Sequence, residues 1–302
     1  MWYFGIALAK SAPHVYISAL PIAPKNSLVY AKYSSLFPHT LLVEHGPLSD
    51  WPSLEMVISN VGSSVVSIAV SPDGQHIVSG LSNGTICVWN TTIGEMVAGP
   101  FTGHSGSVNS VDISPNGLWV VLGSDDKTIC VWNAMTGEAV ENSFTGHTES
   151  INSVAFSPNG QWIVSGSYDE TICVWNVITG EIVAGPFTGH TGYVMSVKFS
   201  SDGQWIVSGS TDKTICVWNS MTGEMVAGSY TGHTSWVNSM VFSPDGQQIV
   251  SGSLDGTICV WNAITGEVAG PFTGHTDSIT SVDFSLDGQK IVSGSTDKTI
   301  CV

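Results

Sequence analysis

The sequence predicts an all-β protein built from one repeated unit, and three observations predict that class. The hexapeptide TICVWN begins at residues 85, 128, 171, 214 and 257, and a sixth copy ends as TICV at residue 302. A Gly-His pair recurs in the same register, at 103–104, 146–147, 189–190, 232–233 and 274–275. Apolar residues in 55–302 do not keep a helical spacing, which disfavours helices. A fixed period of about 43 residues indicates a repeat architecture.

Each repeat contains four strand signals in order. In the fourth copy they are YVMSVKF, QWIVSG, TICVWN and EMVAGSY, and the segments between them are SSDGQ, STDK and SMTG. These spacers carry Gly, Asp and Ser, which are the residues that tight turns prefer. Four antiparallel strands per period, repeated radially, make one blade of a β-propeller, and we therefore predict that fold.

With Gly-His opening the unit and Trp-Asn closing it, the repeats resemble the WD40 family, whose units usually end in Trp-Asp. The resemblance covers residues 55–302 and implies a structural hydrogen-bonded set of His, Ser or Thr, Asp and Trp in each blade. A His/Ser/Asp trio also resembles a hydrolase triad in composition, but its recurrence favours the structural role. By position, the complete sets are His147, Ser165, Asp169 and Trp175; His190, Ser208, Asp212 and Trp218; and His233, Ser251, Asp255 and Trp261.

Three repeats depart from this set. The first has Val61 and Asn83 in place of His and Asp, the second has Leu122 in place of Ser, and the last ends before its Trp. Buried imidazole, carboxylate and indole groups all need hydrogen-bond partners. We therefore expect the blades with incomplete sets to be the weaker ones.

The repeats occupy residues 60–302, with five full copies and a truncated sixth. Residues 14–59 can be threaded onto the four-strand pattern as a degenerate first blade or junction. Residues 1–13 include an apolar segment, Trp2–Leu8, that is placed to supply the strand missing from the last blade and so remove an open edge. We expect seven blades closed in this way. The alternatives are six blades with 55–59 as the closing strand, or a fragment of a longer protein without independent function.

The N-terminal region carries a second resemblance. PHVYISALPIAPKNSLVY, followed by a short Trp-Pro segment and then the repeats, resembles the junction in fungal NLR-like proteins in which a NACHT nucleotide-binding module precedes a WD40 array. The chain contains no Gly-x-x-x-x-Gly-Lys-Ser/Thr phosphate loop. Any nucleotide-driven switch would therefore lie outside these residues.

Composition argues against several partners and sites. Acidic residues outnumber basic ones 24 to 8 and the formal charge is −16, so we expect neither nucleic acid nor an anionic membrane as partner. The longest apolar run, MWYFGIALA, is too short to cross a bilayer. The six cysteines fall one per repeat, which favours buried thiols over disulfides or a metal site. We predict a cytoplasmic protein that needs no small-molecule cofactor and no metal.

Function is expected at the ends of the blades, because most of each repeat is committed to the core. Near-identical repeats differ most just before the first strand, just inside it and before the turn Asp. In the WD40 family the corresponding positions resemble those that face the top of the disc, where partner peptides dock. Exposed aromatic anchors are typical of binding hot spots. The candidate partner-binding residues are Tyr168, Tyr193, Met195, Trp236 and Leu254.

These features predict a non-catalytic platform that binds a partner protein or peptide, within an NLR-like receptor. The alternative of a different class is an enzyme that uses the central channel. An enzyme would need carboxylates, histidines or metal ligands that converge on the axis. The His and Asp residues recur instead at the structural positions, and we therefore predict no enzymatic activity.

Overall fold

The structure is a computed structural model that describes residues 57–59, 61–139, 144–285 and 287–302, and for Ala227 and Gly228 only the backbone. The chain divides into two units, and the second, Ile58–Val302, contains every strand described here. The described residues form 23 β-strands in six antiparallel sheets, with no α-helix among them. The predicted all-β propeller class is confirmed.

Each sheet is a simple meander of consecutive strands. The first contains β1 (Val65–Val70), β2 (His76–Leu81), β3 (Thr85–Asn90) and β4 (Met96–Thr102), and the second contains β5 (Val108–Ile113), β6 (Trp119–Ser124), β7 (Thr128–Asn133) and β8 (Phe144–Thr145). The third contains β9 (Ile151–Phe156), β10 (Trp162–Ser167), β11 (Ile172–Asn176) and β12 (Ile182–Phe187). The fourth contains β13 (Val194–Phe199), β14 (Trp205–Ser210), β15 (Thr214–Asn219) and β16 (Met225–Thr231). The fifth contains β17 (Val237–Phe242), β18 (Gln248–Ser253), β19 (Thr257–Asn262) and β20 (Val268–Thr273), and the sixth contains β21 (Ile279–Phe284), β22 (Ile291–Ser295) and β23 (Ile300–Cys301).

The turn between the first and second strands shows how the sequence sets the hairpins. In the fourth sheet the Ser200 hydroxyl donates to Asp202 Oδ1 over 2.6 Å, and the same oxygen accepts the Gln204 amide over 3.0 Å. Gly203 follows with φ of 72°, a backbone angle that glycine adopts without steric cost. The recurring Ser-x-Asp/Asn-Gly sequence therefore closes this hairpin in each sheet.

Consecutive sheets pack face to face through their inner strands, and a glycine in the second strand permits the close approach. A Cβ placed on Gly166 of the third sheet would lie 2.5 Å from Val194 Cγ1 of the fourth. Val194 and Val197 are fully buried against that glycine. Each blade therefore completes its core only when the next blade is present, as expected for a repeat fold.

The same dependence is visible at the start of the array. Val65 and Ile68 of β1 are 47% and 61% exposed, whereas their equivalents in β5, Val108 and Val111, are buried by the first sheet. No described sheet precedes the first one. Burial of an inner strand is thus decided by its neighbour and not by its own sequence, because the side chains at these positions are nearly identical.

The structure corrects the blade count. Six sheets are present in the described residues, which agrees with the six-blade alternative, and the seven-blade prediction is wrong. That prediction threaded a further blade onto 14–59 by apolar alternation alone, without a Gly-His or TICVWN signature. Those residues up to 56, and the proposed closing segment Trp2–Leu8, lie outside the described residues. The alternative closing strand at 55–59 is not formed over 57–59, where Ile58 packs near Leu81 and Trp89.

Candidate functional site

One end of the third, fourth and fifth sheets carries a complete buried hydrogen-bonded set that we call the brace. It joins the His before the inner strand, the Ser in the second strand, the Asp of the following turn and the Trp of the third strand. In the third sheet Trp175 Nε1 donates to Ser165 Oγ over 2.7 Å, and His147 Nε2 lies 2.7 Å from that same oxygen. His147 Nδ1 lies 2.8 Å from Asp169 Oδ2.

These contacts determine where the protons lie. An ionised carboxylate only accepts, so His147 Nδ1 carries the hydrogen that it donates to Asp169. In a neutral imidazole Nε2 is then an acceptor, and it takes the hydrogen of the Ser165 hydroxyl. The hydroxyl oxygen in turn accepts the indole N–H of Trp175. Every polar group of this buried set has a partner.

The fourth and fifth sheets repeat the arrangement. His190 Nδ1 lies 2.9 Å from Asp212 Oδ2, and His233 Nδ1 lies 3.3 Å from Asp255 Oδ2. The corresponding serine oxygens, of Ser208 and Ser251, lie 2.7 and 2.8 Å from the imidazole Nε2 atoms and accept from Trp218 and Trp261 over 2.7 and 2.8 Å. The structure therefore brings together all twelve residues of the three complete sets.

The brace keeps its carboxylate ionised. Burial alone would raise the pKa of Asp169, but hydrogen bonds from His147, the Thr171 hydroxyl and the Thr148 amide lower it well below its usual value. Burial would also raise the pKa of Asp255, but hydrogen bonds from Thr257 and the Thr234 amide outweigh that effect. They hold the pKa of Asp255 at about 2. Burial lowers the pKa of His233 below its usual 6.5, against the attraction of Asp255.

The incomplete braces differ in which link is missing. In the second sheet Leu122 is fully buried where Ser is expected, and His104 Nε2 and Trp132 Nε1 are the two buried side-chain polar atoms without a hydrogen-bond partner among the described residues. In the first sheet, which lacks the His, Trp89 Nε1 still donates to Ser79 Oγ over 2.9 Å. Losing an end member shortens the brace, whereas losing the middle member leaves two groups unpaired.

The geometry excludes the brace as a catalytic triad. Ser165 has no exposed surface, and its oxygen is occupied by both the indole and the imidazole, so no substrate can reach it. The neighbouring thiols are equally inert. Burial, followed by the charge of Asp169, raises the pKa of Cys173 to about 12, and all six cysteines are free.

The Trp-Asn ending has a local structural role. Asn176 Oδ1 accepts the amides of Ile178 and Thr179 over 2.9 and 3.0 Å, and so caps the turn between the third and fourth strands. The other four Asn residues of TICVWN make the same pair of bonds. A carboxylate oxygen would accept these amides equally well, so Asn keeps the turn while removing one negative charge per blade.

The candidate partner-binding residues lie at the brace end of three consecutive sheets, and we call them the rim patch. Tyr168 of the third sheet stacks on Tyr193 of the fourth, with ring centroids 4.6 Å apart and planes 17° from parallel. In the fifth sheet the Leu254 amide donates to the Trp236 carbonyl over 2.9 Å, which places these two residues side by side. The patch thus consists of a tyrosine pair and a Trp–Leu pair, with Met195 on the inner strand between them.

Exposure differs within the rim patch. Tyr193, Trp236 and Leu254 are 47%, 45% and 41% exposed, whereas Tyr168 and Met195 are half-buried. Burial, followed by the charges of Asp125 and Tyr193, raises the pKa of Tyr168. The tyrosine pair is therefore partly a packed feature, and the Trp–Leu pair presents the more accessible surface.

Sequence comparison missed one structural role in the rim. Asn109, Asn152 and Asn238, which share the variable position just inside the inner strand, each donate to a backbone carbonyl of the next sheet. The acceptors are Ile151, Met195 and Ile279, over 3.2, 2.8 and 2.8 Å. This position is not a free surface column, and the recurrence of Asn was the signal that it bonds across the seam.

A second feature was missed at the opposite end of the sheets. Aliphatic side chains follow the capping Asn by two residues and are 40–80% exposed: Met135, Ile178, Met221 and Ile264. In these four copies of the repeat the position carries only Ile or Met. These residues provide a matched reference for tests of the rim patch.

Neither a metal site nor a membrane span is found in the part of the chain that the structure describes. No three His, Cys, Asp or Glu side chains there are grouped to hold a metal ion. No helix there is long and apolar enough to cross a bilayer.

Two comparisons with known proteins agree with this geometry. The family model for the WD domain, G-beta repeat, matches residues 56–90, 96–133, 139–176, 182–219, 225–262 and 266–302, which gives six repeats for six sheets. Vegetative incompatibility protein HET-E-1 of Podospora anserina is 37% identical over 91 residues, which are 30% of this chain and 7% of that protein. The match supports the predicted resemblance to the WD40 region of fungal NLR-like proteins, and the chain covers only a small part of that relative.

Proposed function

The chain belongs to the WD40 repeat family, and from that premise we propose that it is a non-catalytic platform that binds a partner protein or peptide at the rim patch. The observation that carries the proposal is the exposure of two large aromatic side chains at a position where other copies of the repeat have a small polar residue. Tyr193 and Trp236 stand where other sheets have Ser107, Ser150 and Ser278.

The scaffold does not require these aromatic rings. Sheets with Ser at the equivalent position have the same first two strands, so the fold gains little from Tyr193 or Trp236. An exposed indole or phenol ring keeps apolar surface in contact with water, and such surface contributes free energy only when a partner covers it. Trp and Tyr are also the side chains that most often dominate binding energy.

Charge indicates the kind of partner. Asp125, Glu149 and Glu170 lie on the loops at the brace end, near Tyr168, and the brace carboxylates at that end remain ionised. Lys127 is paired with Glu149 over 3.3 Å. With a formal charge of −16 for the whole chain, a neutral or basic partner segment is favoured over an acidic one.

Selection from a display library of random peptides tests the proposal. We expect the chain to enrich a defined set of peptides, and the Tyr193→Ala/Trp236→Ala variant to lose them. The matched control is Ile178→Ala/Ile264→Ala, which removes exposed aliphatic side chains at the opposite end and should keep the enriched set.

Thermal unfolding of the same variants separates binding from folding. Tyr193→Ala/Trp236→Ala should unfold near the parent temperature, since the lost stack on Tyr168 contributes only about 1 kcal/mol. If the variant melts far below the parent, or if the control loses the peptides equally, the rim patch is not the binding surface.

We further propose that the platform is the ligand-sensing part of a cytoplasmic NLR-like receptor. The resemblance to fungal NLR-like proteins supports this context, and six free thiols suit a reducing compartment. Expression of a fluorescent fusion in a fungal cell would test the location, and secretion of the fusion would contradict it.

A further inference from the structure

Resting on the proposed function, we propose that the partner of the rim patch is a peptide that seats an apolar side chain over the seam between the fourth and fifth sheets, with a basic residue beside it. The seam is the line along which two consecutive inner strands meet. This seam differs from the others in its hydrogen bonds, in its lining residue and in the rings that flank it.

The other seams are joined by side chains that bond to the backbone of the next inner strand. Ser67 Oγ accepts the Val111 amide over 3.1 Å at the first seam, and Ser110 Oγ accepts the Val154 amide over 3.0 Å at the second. Ser153 and Ser239 accept equivalent amides at the third and fifth seams over 3.1 Å each, from Val197 and Val282. The Asn bonds described above add a second polar link at three of these four seams.

The seam between the fourth and fifth sheets lacks both links. Among the described residues, no hydrogen bond joins β13 to β17, although Ser196 stands at the position of the bonding serines. Met195 stands at the position of the Asn residues. Met240 stands at the position of the Val residues whose backbone amides donate at the other seams. Met240 is 1% exposed and fills the space beside Gly209. The inner strand of the fourth sheet therefore carries a thioether chain, and not an amide, at the position of Met195, and its sulfur lies 3.9 Å from Asn152 Nδ2 of the third sheet.

This difference favours an apolar occupant. An apolar side chain placed over Asn109 or Asn152 would strip water from an amide that has further hydrogen-bonding capacity, which is unfavourable. Over Met195 it would cover only a flexible, polarizable apolar chain, which adapts well to irregular partners. At the Met195 position, apolar burial therefore removes water from no side-chain amide.

Two aromatic residues flank the seam. Tyr193 and Trp236 each occupy the position directly before an inner strand, on the fourth and the fifth sheet, and Thr211 donates its amide to the Tyr193 carbonyl over 2.9 Å. Tyr193 already stacks on Tyr168, whereas Trp236 stacks on no other aromatic ring of the described residues. An incoming side chain therefore finds one ring held by its neighbour and one still available for contact.

The charges indicate which side of the seam the basic residue occupies. The charge of Asp125 helps to raise the pKa of Tyr168, and Glu170 follows Asp169 in the same turn. The third-sheet side is therefore acidic. Lys213 is exposed in the turn of the fourth sheet. We expect the basic residue on the side of Tyr168, where carboxylates attract it, and away from Lys213, which would repel it.

Peptide selection with a seam variant tests the inference. Met195→Asn introduces the residue that stands at this position in three other sheets, and it should fold because the backbone already accommodates Asn there. The probe is the random-peptide display library. We expect the parent to enrich peptides with an apolar residue next to Lys or Arg, and Met195→Asn to bind the best of them about tenfold more weakly. Asn238→Met, the reverse change at the next seam, should leave the enriched peptides unchanged.

The outcomes separate this inference from the proposed function. If Tyr193→Ala/Trp236→Ala abolishes enrichment but Met195→Asn does not alter the peptides or their affinity, the rim patch binds and the seam inference is overturned. Enriched peptides without an apolar residue overturn it too. If no peptide depends on Tyr193 and Trp236, the proposed function itself fails.

A direct observation of the seam completes the test. With the methionine methyl groups labelled by ¹³C, an enriched peptide should shift the Met195 signal and leave Met221, exposed at the opposite end, unchanged. Equal shifts at both methyl groups would show non-specific contact and contradict the inference.

Discussion

The second and third sheets have matching first three strands but differ at one residue in the centre of the brace. In the third sheet Ser165 joins the indole of Trp175 to the imidazole of His147, and each group is satisfied. In the second sheet Leu122 occupies that place, and the equivalent nitrogen atoms of His104 and Trp132 have no partner among the described residues. The outer link remains, since His104 Nδ1 lies 3.0 Å from Asp126.

The difference shows that the members of the brace are not equivalent. A Ser in the middle both donates and accepts, so its loss affects two buried groups at once. The first sheet loses the His at the end of the brace and its Trp89 remains paired with Ser79. The expectation that incomplete sets give weaker blades is thus refined: the second sheet should be weaker than the first on this account.

Placing the Leu of the second sheet at the equivalent position of the third should lower the free energy of unfolding the most. Ser165→Leu would leave His147 Nε2 and Trp175 Nε1 unpaired, at about 1–3 kcal/mol each, and would also overpack a fully buried site. We expect the free energy of unfolding to fall by about 4 kcal/mol, measured by urea denaturation. Ser165→Ala, which unpairs the same groups without added bulk, should fall by less. A loss below about 1 kcal/mol for Ser165→Leu would show that the brace contributes little.

Matched tryptophan substitutions in the two sheets should differ by about 2 kcal/mol. Trp175→Phe removes a donor that is bonded to Ser165, whereas Trp132→Phe removes a donor that has no partner. Both tryptophans stack on a phenylalanine at similar distances, 6.1 and 5.9 Å, so the loss of ring contact is comparable. Unfolding temperatures of the two variants, compared with the parent, measure the difference. Equal losses would mean that the Ser165 bond stabilises nothing.

Repairing the second sheet should give a smaller effect. Leu122→Ser loses about 2–3 kcal/mol of apolar burial but supplies the missing partner to His104 and Trp132, so the net change should stay within about 1 kcal/mol. Leu122→Ala is the control, because it removes the same apolar bulk without adding a hydroxyl, and it should lose about 3 kcal/mol. If Ser and Ala prove equally destabilising in denaturant titrations, the two nitrogen atoms do not gain from the hydroxyl.

Acidification should change the stability least. The groups that it affects, His233 and Asp255, belong to the complete brace of the fifth sheet. Because burial keeps the pKa of His233 below 6.5, the unfolded chain takes up protons more readily than the folded one, and stability falls as the pH drops below about 6.5. Asp255, with a pKa of about 2, keeps its contribution until the pH falls below about 4. Melting temperatures between pH 8 and pH 4.5 should therefore depend on pH less in His233→Asn than in the parent. The same slope in both chains would contradict this assignment.

Most of the fold could be predicted from the sequence because the same residues recur at the same positions in several copies of the repeat. The period, the turn residues and the strand alternation predict the class and the order of strands, and the resemblance to the WD40 family assigns His147, Ser165, Asp169 and Trp175 by their position in the repeat. The blade count failed because apolar alternation without the signature residues was accepted as a blade. A single strand-like pattern is compatible with many contexts, whereas five copies of TICVWN are not.

The candidate site divides in a similar way. Internal comparison located Tyr193 and Trp236 as positions where the scaffold tolerates change, and the structure places both at one end of neighbouring sheets with exposed rings. Comparison could not show that Tyr168 stacks on Tyr193, or that Asn152 bonds to the next sheet. Those contacts join residues of different repeats, and variation within one column carries no information about its neighbour.

The sequence by itself determined the repeat, the four-strand unit and the acidic character of the chain, because these are local patterns of spacing and composition, and its resemblance to the WD40 family supplied the residues of the brace. Only the tertiary structure decided which buried groups remain unpaired, which inner strand is covered, and which seam lacks polar links. The unpaired groups depend on distances within one blade, and the covered strand and the seam depend on distances between blades, where near-identical sequences acquire different environments because their neighbours differ.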